Sequence, residues 1–323
     1  MKVKLSVPGK TFLLGEYSVL DSGPCLVACA EPRFVLRVDT FSTGHCQGIS
    51  PASPAGRWMR ENRFDFASVG LEFLDPHHGQ GGLGASSAQF DLVYAWSLLQ
   101  RSGFAELAKG LDPQALWSCF REYSHIDEGQ RPSGADVVVQ SLGGICLFSQ
   151  EPFVAKPLAW RFSDLGFLLV RTGQKLATHE HLKSVSMGAL SALKLASRRG
   201  VEAFADGDRQ RFVAATNEFA AELEDLQLVA PRTLEMLTEF KSIPGILAAK
   251  GCGAMGADVV LVLSDLKQIG VVREQIQSRQ YKIVGDISAL AEGLKLEAEL
   301  EPRQQANVNH KWANLWDDGG SNV

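Results

Sequence analysis

The sequence has no long apolar run, no dense basic tract and no closely paired cysteines, and each absence removes a class of protein. Its longest apolar stretches, GFLLV around Phe167 and VVLVL after Asp258, are strand-length, far below the roughly 20 residues that span a bilayer. The N-terminus, MKVKLSVPGKTFLLGEY, lacks a continuous apolar segment followed by a small-residue cleavage site, so it reads as a first strand and not a signal peptide. Lys and Arg total 32 against 37 Asp and Glu, a formal net charge of -5. Without a basic cluster, nucleic acid is not an expected partner, and neither is a membrane. The 6 cysteines, Cys25, Cys29, Cys46, Cys119, Cys146 and Cys252, form no CxxC pair. Reduced, mostly buried thiols in a cytoplasmic protein are the expectation.

What remains is ordinary globular composition, 45% hydrophobic and 21% charged over 323 residues, a length that suits about two domains. The strand-like segment FSDLGFLLVRTG opens a second domain, dividing the chain into an N-terminal domain over 1–160, a C-terminal domain over 161–305 and a polar tail over 306–323, in which Trp312 and Trp316 have the spacing of one docked helical turn. Strands are expected at KVKLSV, TFLLGEYSVL, CLVACA and FVLRVDTF, with a turn at Pro8-Gly9. SPASPAGRW reads as a surface excursion. Helices are expected from Ser86 to Gly103 and from Pro113 to Ile126, and helical patterns dominate from His179 to Lys241.

Glycine is what the chain uses most pointedly. GGLGASSA, from Gly81 to Ala88, runs straight into an amphipathic helix. Glycines let backbone N–H groups approach a ligand, and the first helical turn adds unpaired donors and the positive end of the helix dipole. Such a loop can cradle phosphate. Ser86 and Ser87 can cap the helix, bind phosphate or ligate Mg²⁺, and a tight turn with a serine cap has the same sequence signature.

Three further segments carry chemistry. In PGKTFLLGEY (Pro8 to Tyr17), Lys10 sits where an ammonium can neutralise phosphate oxygens, with Glu16 and Tyr17 at the next turn as substrate contacts; a surface lysine in a hairpin is the plain alternative. In PSGAD (Pro132 to Asp136), Asp136 can accept the proton of an attacking alcohol or hold it in line, or simply cap a helix. KGCGAMGAD (Lys250 to Asp258) is a second glycine-rich turn before a strand. His179-Glu180-His181 lacks the HExxH spacing of a zinc site and reads as a helix start capped by Thr178. His77-His78 reads as part of a mobile loop.

In this order, PGK…GEY, GLGASSA, PSGAD and GCGAMGAD resemble the galactokinase, homoserine kinase, mevalonate kinase and phosphomevalonate kinase (GHMP) superfamily over about residues 3 to 265, with the phosphomevalonate/mevalonate kinase branch nearest. The resemblance implies an α+β, two-domain GHMP kinase fold with the active site in the cleft between domains. It implies ATP and Mg²⁺ as cofactors and a small-molecule alcohol or phosphate ester as acceptor, for a monomer or homodimer in isoprenoid biosynthesis. Residue by residue, it implies Lys10 and Asp136 at the catalytic centre. Gly82, Leu83, Gly84, Ala85, Ser86, Ser87 and Ala88 would surround the ATP phosphates. Glu16, Tyr17, Ser133, Gly134, Gly253 and Ala254 would line the acceptor site, and Ser86 and Glu122 would be the metal ligands.

The chain departs from the family where Ala85 replaces a serine and where Ala254 and Met255 interrupt the third glycine run. The family's second acidic metal ligand falls near Ser124 or His125, with Glu122, Asp127 and Glu128 as neighbours. GEY and Asp258 favour phosphomevalonate, and PSGAD favours mevalonate. Arg33, Arg131, Lys175, Lys183 and Lys250 are candidate cations for a phosphorylated acceptor. A diphosphomevalonate decarboxylase and a non-catalytic nucleotide sensor of the same fold are the alternatives.

Overall fold

The computed structural model describes residues 2–42, 44–79, 82–125, 131–174 and 190–299. Strand β1 (Lys2–Leu14) pairs antiparallel with β2 (Cys25–Asp39), so that Val3, Leu5 and Val7 face Val38, Leu36 and Phe34. The expected turn at Pro8-Gly9 is absent, and β1 continues through it with a register shift between those two residues. A proline has no N–H to give the ladder, and a bulge absorbs that loss without ending the strand. Lys10 therefore lies within β1, opposite Cys29.

The first sheet is completed by β3 (Cys46–Gln47), β4 (Gly70–Leu74), β5 (Ile145–Ser149), β6 (Val154–Leu158) and β11 (Lys295–Glu299), in the order β11-β1-β2-β4-β3 with β5 on β2 and β6 on β5. The second sheet is antiparallel, ordered β10-β7-β9-β8, from β7 (Leu165–Arg171), β8 (Ile246–Cys252), β9 (Val259–Asp265) and β10 (Ile283–Asp286). The last described strand, β11, thus returns to the edge of the first sheet.

Helix α1 (Pro54–Glu61) occupies the predicted surface excursion. Ser53 accepts a hydrogen bond from the Gly56 N–H and Pro54 takes the first helical position, a start signal in which proline loses nothing. α2 (Ala85–Ser102) buries Ala88, Leu92, Ala95 and Trp96, packing on β1 and β2 and on the later α5 (Ala135–Leu142). α3 (Phe104–Leu107) and α4 (Pro113–Ser124) lie between them in the chain, and the Asp112 side chain accepts from the Gln114 and Ala115 N–H groups to start α4. α6 (Ser191–Asp206) packs on α7 (Arg209–Asp225) and on β1 and β2, while on the second sheet α7 and α8 (Pro231–Lys241) pack on β8 and α9 (Ile269–Ser278) on β7 and β9.

One continuous apolar core runs beneath both sheets, from Leu5, Leu36 and Phe90 to Phe167, Phe212 and Leu261. No helix among the described residues is long and apolar enough to cross a membrane.

Candidate active site

Lys10 and Asp136 lie 126 positions apart in the sequence and meet in the fold, with the ammonium 3.0 Å from Asp136 Oδ2. The lysine side chain is 8% exposed and the carboxylate 34%, so one partner is enclosed and the other can meet a ligand. Burial alone pulls the Lys10 pKa down, but the Asp136 carboxylate, helped by Asp258, outweighs it and holds the group above an ordinary lysine. Lys10 is thus a cation at all physiological pH values. Asp136 does not cap α5. Gly134 takes that place at φ 71°, a left-handed conformation that suits glycine, and a Cβ there would stand 2.6 Å from Cδ1 of Trp117. The turn sets the carboxylate in the first turn of α5, where the helix dipole favours a negative charge.

The glycine-rich loop packs against the same strand. The Lys10 N–H donates to the Leu83 carbonyl at 2.9 Å, and the first backbone bond of α2 runs from the Ala88 N–H to the Gly84 carbonyl. The N–H groups of Ala85, Ser86 and Ser87 therefore precede the ladder, as the first turn of a helix requires. Gly84 is the N-cap and neither serine caps. Ser87 is buried, its hydroxyl 3.0 Å from the Gly84 carbonyl and 2.5 Å from Oε1 of Gln140, which in turn donates through Nε2 to the Pro8 carbonyl. Ser86 is exposed. Leu83 and Ala88 are buried and anchor the loop.

With PGK…GEY, GLGASSA and GCGAMGAD as the first, second and third motifs, the third closes on the second around Asp258. A Cβ on Gly82 or on Gly253 would overlap the Asp258 side chain, so both turns need glycine for close approach as well as for their positive φ of 85° and 87°. The first motif is tied to the third by two contacts. Glu16 forms a buried ion pair with Lys250, whose ammonium also reaches the Gly251 carbonyl at 3.2 Å. The Tyr17 hydroxyl accepts from the Met255 N–H at 2.7 Å, and burial first of all pushes the Tyr17 pKa up to about 12. Glu16 and Tyr17, expected to contact substrate, are thus turned toward the third motif.

The four segments converge where the two sheets meet. Gly9, Lys10, Thr11 and Leu83 line a narrow pocket with Leu169 of β7 and Val284 of β10. His77, read from sequence as part of a mobile loop, is buried in the same pocket. Its ring packs edge-on against Phe34 at 5.4 Å, with Nδ1 3.3 Å from the Arg171 guanidinium.

Other expected residues have different surroundings. The Ser133 carbonyl accepts from the Trp117 indole at 2.8 Å, and its hydroxyl accepts from the Ala135 N–H at 3.3 Å. Ala254 is buried. Arg33 is spent on the Ser6 hydroxyl and the Glu292 carbonyl at 2.9 and 2.7 Å. Glu122 is exposed on α4, whose side toward Gly134 presents Trp117 and Arg121. Among the described residues no three His, Cys, Asp or Glu side chains cluster as a metal site. Asp127, Glu128, Lys175, Thr178, His179, Glu180, His181, Lys183, Trp312 and Trp316 lie outside the described residues.

Sequence reasoning missed Gln140, the amide behind Ser87, and Asp91, a fully buried carboxyl of α2. Burial, then the charge of Asp136, pushes the Asp91 pKa well above the usual carboxylate range. An aspartate amid the apolar face of a predicted helix was the available signal.

No family model and no curated protein matches the sequence. Solved structures do. The Streptococcus pneumoniae phosphomevalonate kinase in complex with phosphomevalonate and AMPPNP is 16% identical, with a TM-score of 0.70 over 88% of this chain and 99% of that one. L. major mevalonate kinase in complex with R-mevalonate is 17% identical, with a TM-score of 0.63 over 85% and 91%. Lactococcus lactis galactokinase complexed with galactose is 11% identical, with a TM-score of 0.68 over 91% and 95%. The chain has the α+β fold that these GHMP kinases share.

Proposed function

We propose that this protein is an ATP- and Mg²⁺-dependent phosphotransferase for a small molecule of the mevalonate-pathway type, with phosphomevalonate ahead of mevalonate as acceptor. The observation that carries the reading is the Lys10–Asp136 pair, whose lysine lies on the strand that also holds the glycine loop at the start of α2. GEY and Asp258 in the sequence, and the phosphomevalonate and AMPPNP named for the Streptococcus structure, support the finer choice.

The residues present fit a nucleoside triphosphate. Three N–H groups precede the α2 ladder, and glycine at 82 and 84 lets the loop pack closely on Asp258, Gln140 and Lys10, which a Cβ would strike. ATP, when bound, supplies the phosphoryl group. Ala85, Ser86 and Ser87 offer backbone donors to its oxygens, and the exposed Ser86 hydroxyl offers a hard oxygen ligand to Mg²⁺. Glu122 is a poorer fit, because it lies off the side of α4 that faces the turn. Lys10 offsets negative charge that grows during transfer, and Asp136 orients the acceptor and takes its proton where the acceptor is an alcohol. Catalysis is then mainly positioning and charge neutralisation.

The test is ADP release with ATP, Mg²⁺ and mevalonate, phosphomevalonate, homoserine or galactose. Asp136→Asn, nearly isosteric, should lower turnover by about 10² or more while leaving AMPPNP affinity within a few-fold. Undiminished turnover would remove Asp136 from the mechanism.

A further inference from the structure

Gln140 follows Val137, Val138 and Val139 on α5 and, like each of them, is 0% exposed. An amide taken out of water is unfavourable unless its polar atoms find partners, and Gln140 finds them on two other segments. Its Nε2 donates to the Pro8 carbonyl at 2.7 Å, where the register of β1 on β2 breaks just ahead of Gly9 and Lys10. Its Oε1 accepts from the Ser87 hydroxyl at 2.5 Å, in the first turn of α2. The Pro8 carbonyl offers only lone pairs, so the partners fix which way the amide points. A Cβ on Gly84 would stand 2.9 Å from both amide atoms and 2.9 Å from Lys10 Cγ, so the glycine turn rests on Gln140 and Lys10 together. Asp136 lies one helical turn before Gln140 on α5, and that spacing puts both on one face.

One enclosed side chain thus holds the strand of Lys10, the glycine turn and the helix of Asp136. The Lys10 N–H bond to the Leu83 carbonyl joins strand to loop, and Gln140 joins both to α5. Ser87 turns its hydroxyl proton inward, toward Gln140 or the Gly84 carbonyl at 3.0 Å, which leaves the exposed Ser86 as the outward hydroxyl. Reacting groups tolerate little displacement, since a misplacement of about 1 Å costs about 10²-fold in rate.

We infer that Gln140 is a positioning residue: through the Pro8 carbonyl and the Ser87 hydroxyl it fixes Lys10 and the Gly84–Ser87 turn against the helix that carries Asp136. Its consequence for catalysis rests on the kinase reading, whereas the placement of Lys10 is measurable without turnover. Gln140→Met keeps the length of the side chain and loses both hydrogen bonds. In the full-length protein, amide hydrogen exchange should quicken about tenfold or more at Lys10 and stay parental at Val262 of β9, because the opening is local. The kcat for ADP release should fall about 10- to 100-fold, with AMPPNP affinity within a few-fold. Adding Ser87→Ala to Gln140→Met should cost little more, because side chains that act as a unit are not additive.

Gln140→Glu separates positioning from packing. When protonated, the introduced carboxyl has an O–H for Pro8 and a C=O for Ser87; when ionised it only accepts. Lys10 of β1 is the cation beside it, for which it then competes with Asp136. Asp136 and Asp91, each one turn along α5 or α2, are the nearby carboxyls, and the Cys29 thiol of β2 donates to the Val139 carbonyl at 3.2 Å. Burial lifts such a carboxyl above its usual value of about 4.3. Relative to the parent at each pH, kcat of Gln140→Glu should be near parental at about pH 5.5 and about tenfold or more lower at about pH 8.5, as the carboxyl ionises.

Parental exchange at Lys10 in Gln140→Met would overturn the inference, as would parental kcat in that variant. A ratio of Gln140→Glu to parent that is constant with pH, in protein shown to be folded by circular dichroism, would also overturn it. Should Gln140→Met not fold, the pH response of Gln140→Glu decides. Should the parent release no ADP with any acceptor, the kinase reading alone fails, and exchange at Lys10 in either variant decides the placement.

Discussion

Removing the lysine of the Glu16–Lys250 pair isolates a buried charge that the fold cannot easily relocate. Lys250 is 0% and Glu16 6% exposed at the side chain, and Phe219 lies 5.5 Å from the ammonium, so solvent screening is minimal. Lys250→Met keeps the length and apolar stem but leaves the Glu16 carboxylate alone. At an effective dielectric of about 20, a pair some 4 Å apart is worth about 4 kcal/mol, and breaking a buried pair from one side typically costs about 3–5 kcal/mol. We expect a loss in that range in urea unfolding at pH 7. Glu16→Gln/Lys250→Met should regain about 1 kcal/mol or more, within the usual range of coupling for residues in contact. A loss below about 1 kcal/mol for Lys250→Met would refute the view that this contact binds the first motif to the third, as would a double variant no more stable than the single one.

Gly82→Ala places a Cβ into Asp258 and into a positive φ. It should cost about 1–3 kcal/mol in thermal or urea unfolding through overpacking and should weaken AMPPNP binding; a neutral result in both would detach Gly82 from Asp258. Alkaline stability is a separate test. Tyr17 is raised to about 12 and Cys252 to about 11, in both cases chiefly by burial. Between the usual thiol value of 9.0 and about 12 the unfolded chain releases protons that the folded chain keeps, so stability falls as pH rises. Each pH unit within a group's window removes about 1.4 kcal/mol per group. Lys10 and Lys250, both raised, act in the same direction, since their contribution is complete below the ordinary lysine value of 10.5 and is lost as pH rises above it. A melting temperature that stays flat from pH 9 to 11.5 would contradict this burial pattern.

Much of the element order was legible because it depends on local patterns. The strand at β9 and the helix α2 both follow from apolar periodicity and a glycine punctuation mark. The errors have local causes as well. Pro8-Gly9 has the composition of a turn, yet pairing with β2 on both sides of it was stronger than the loss of one N–H. Ser53-Pro54 has the composition of a loop but is also a helix start, and only the hydrogen bond to Gly56 decides between the two.

From its residues alone, the chain determined that a glycine-opened helix, an early lysine and a later Ser-Gly-Ala-Asp turn exist in that order, since backbone freedom and periodicity are properties of neighbouring positions. Folding decided which side chains are spent on one another. Glu16 faces Lys250, Arg33 holds backbone carbonyls, Ser87 rests on Gln140, and Arg121 stands beside Gly134, because burial and charge pairing are settled between segments that only tertiary packing brings into contact.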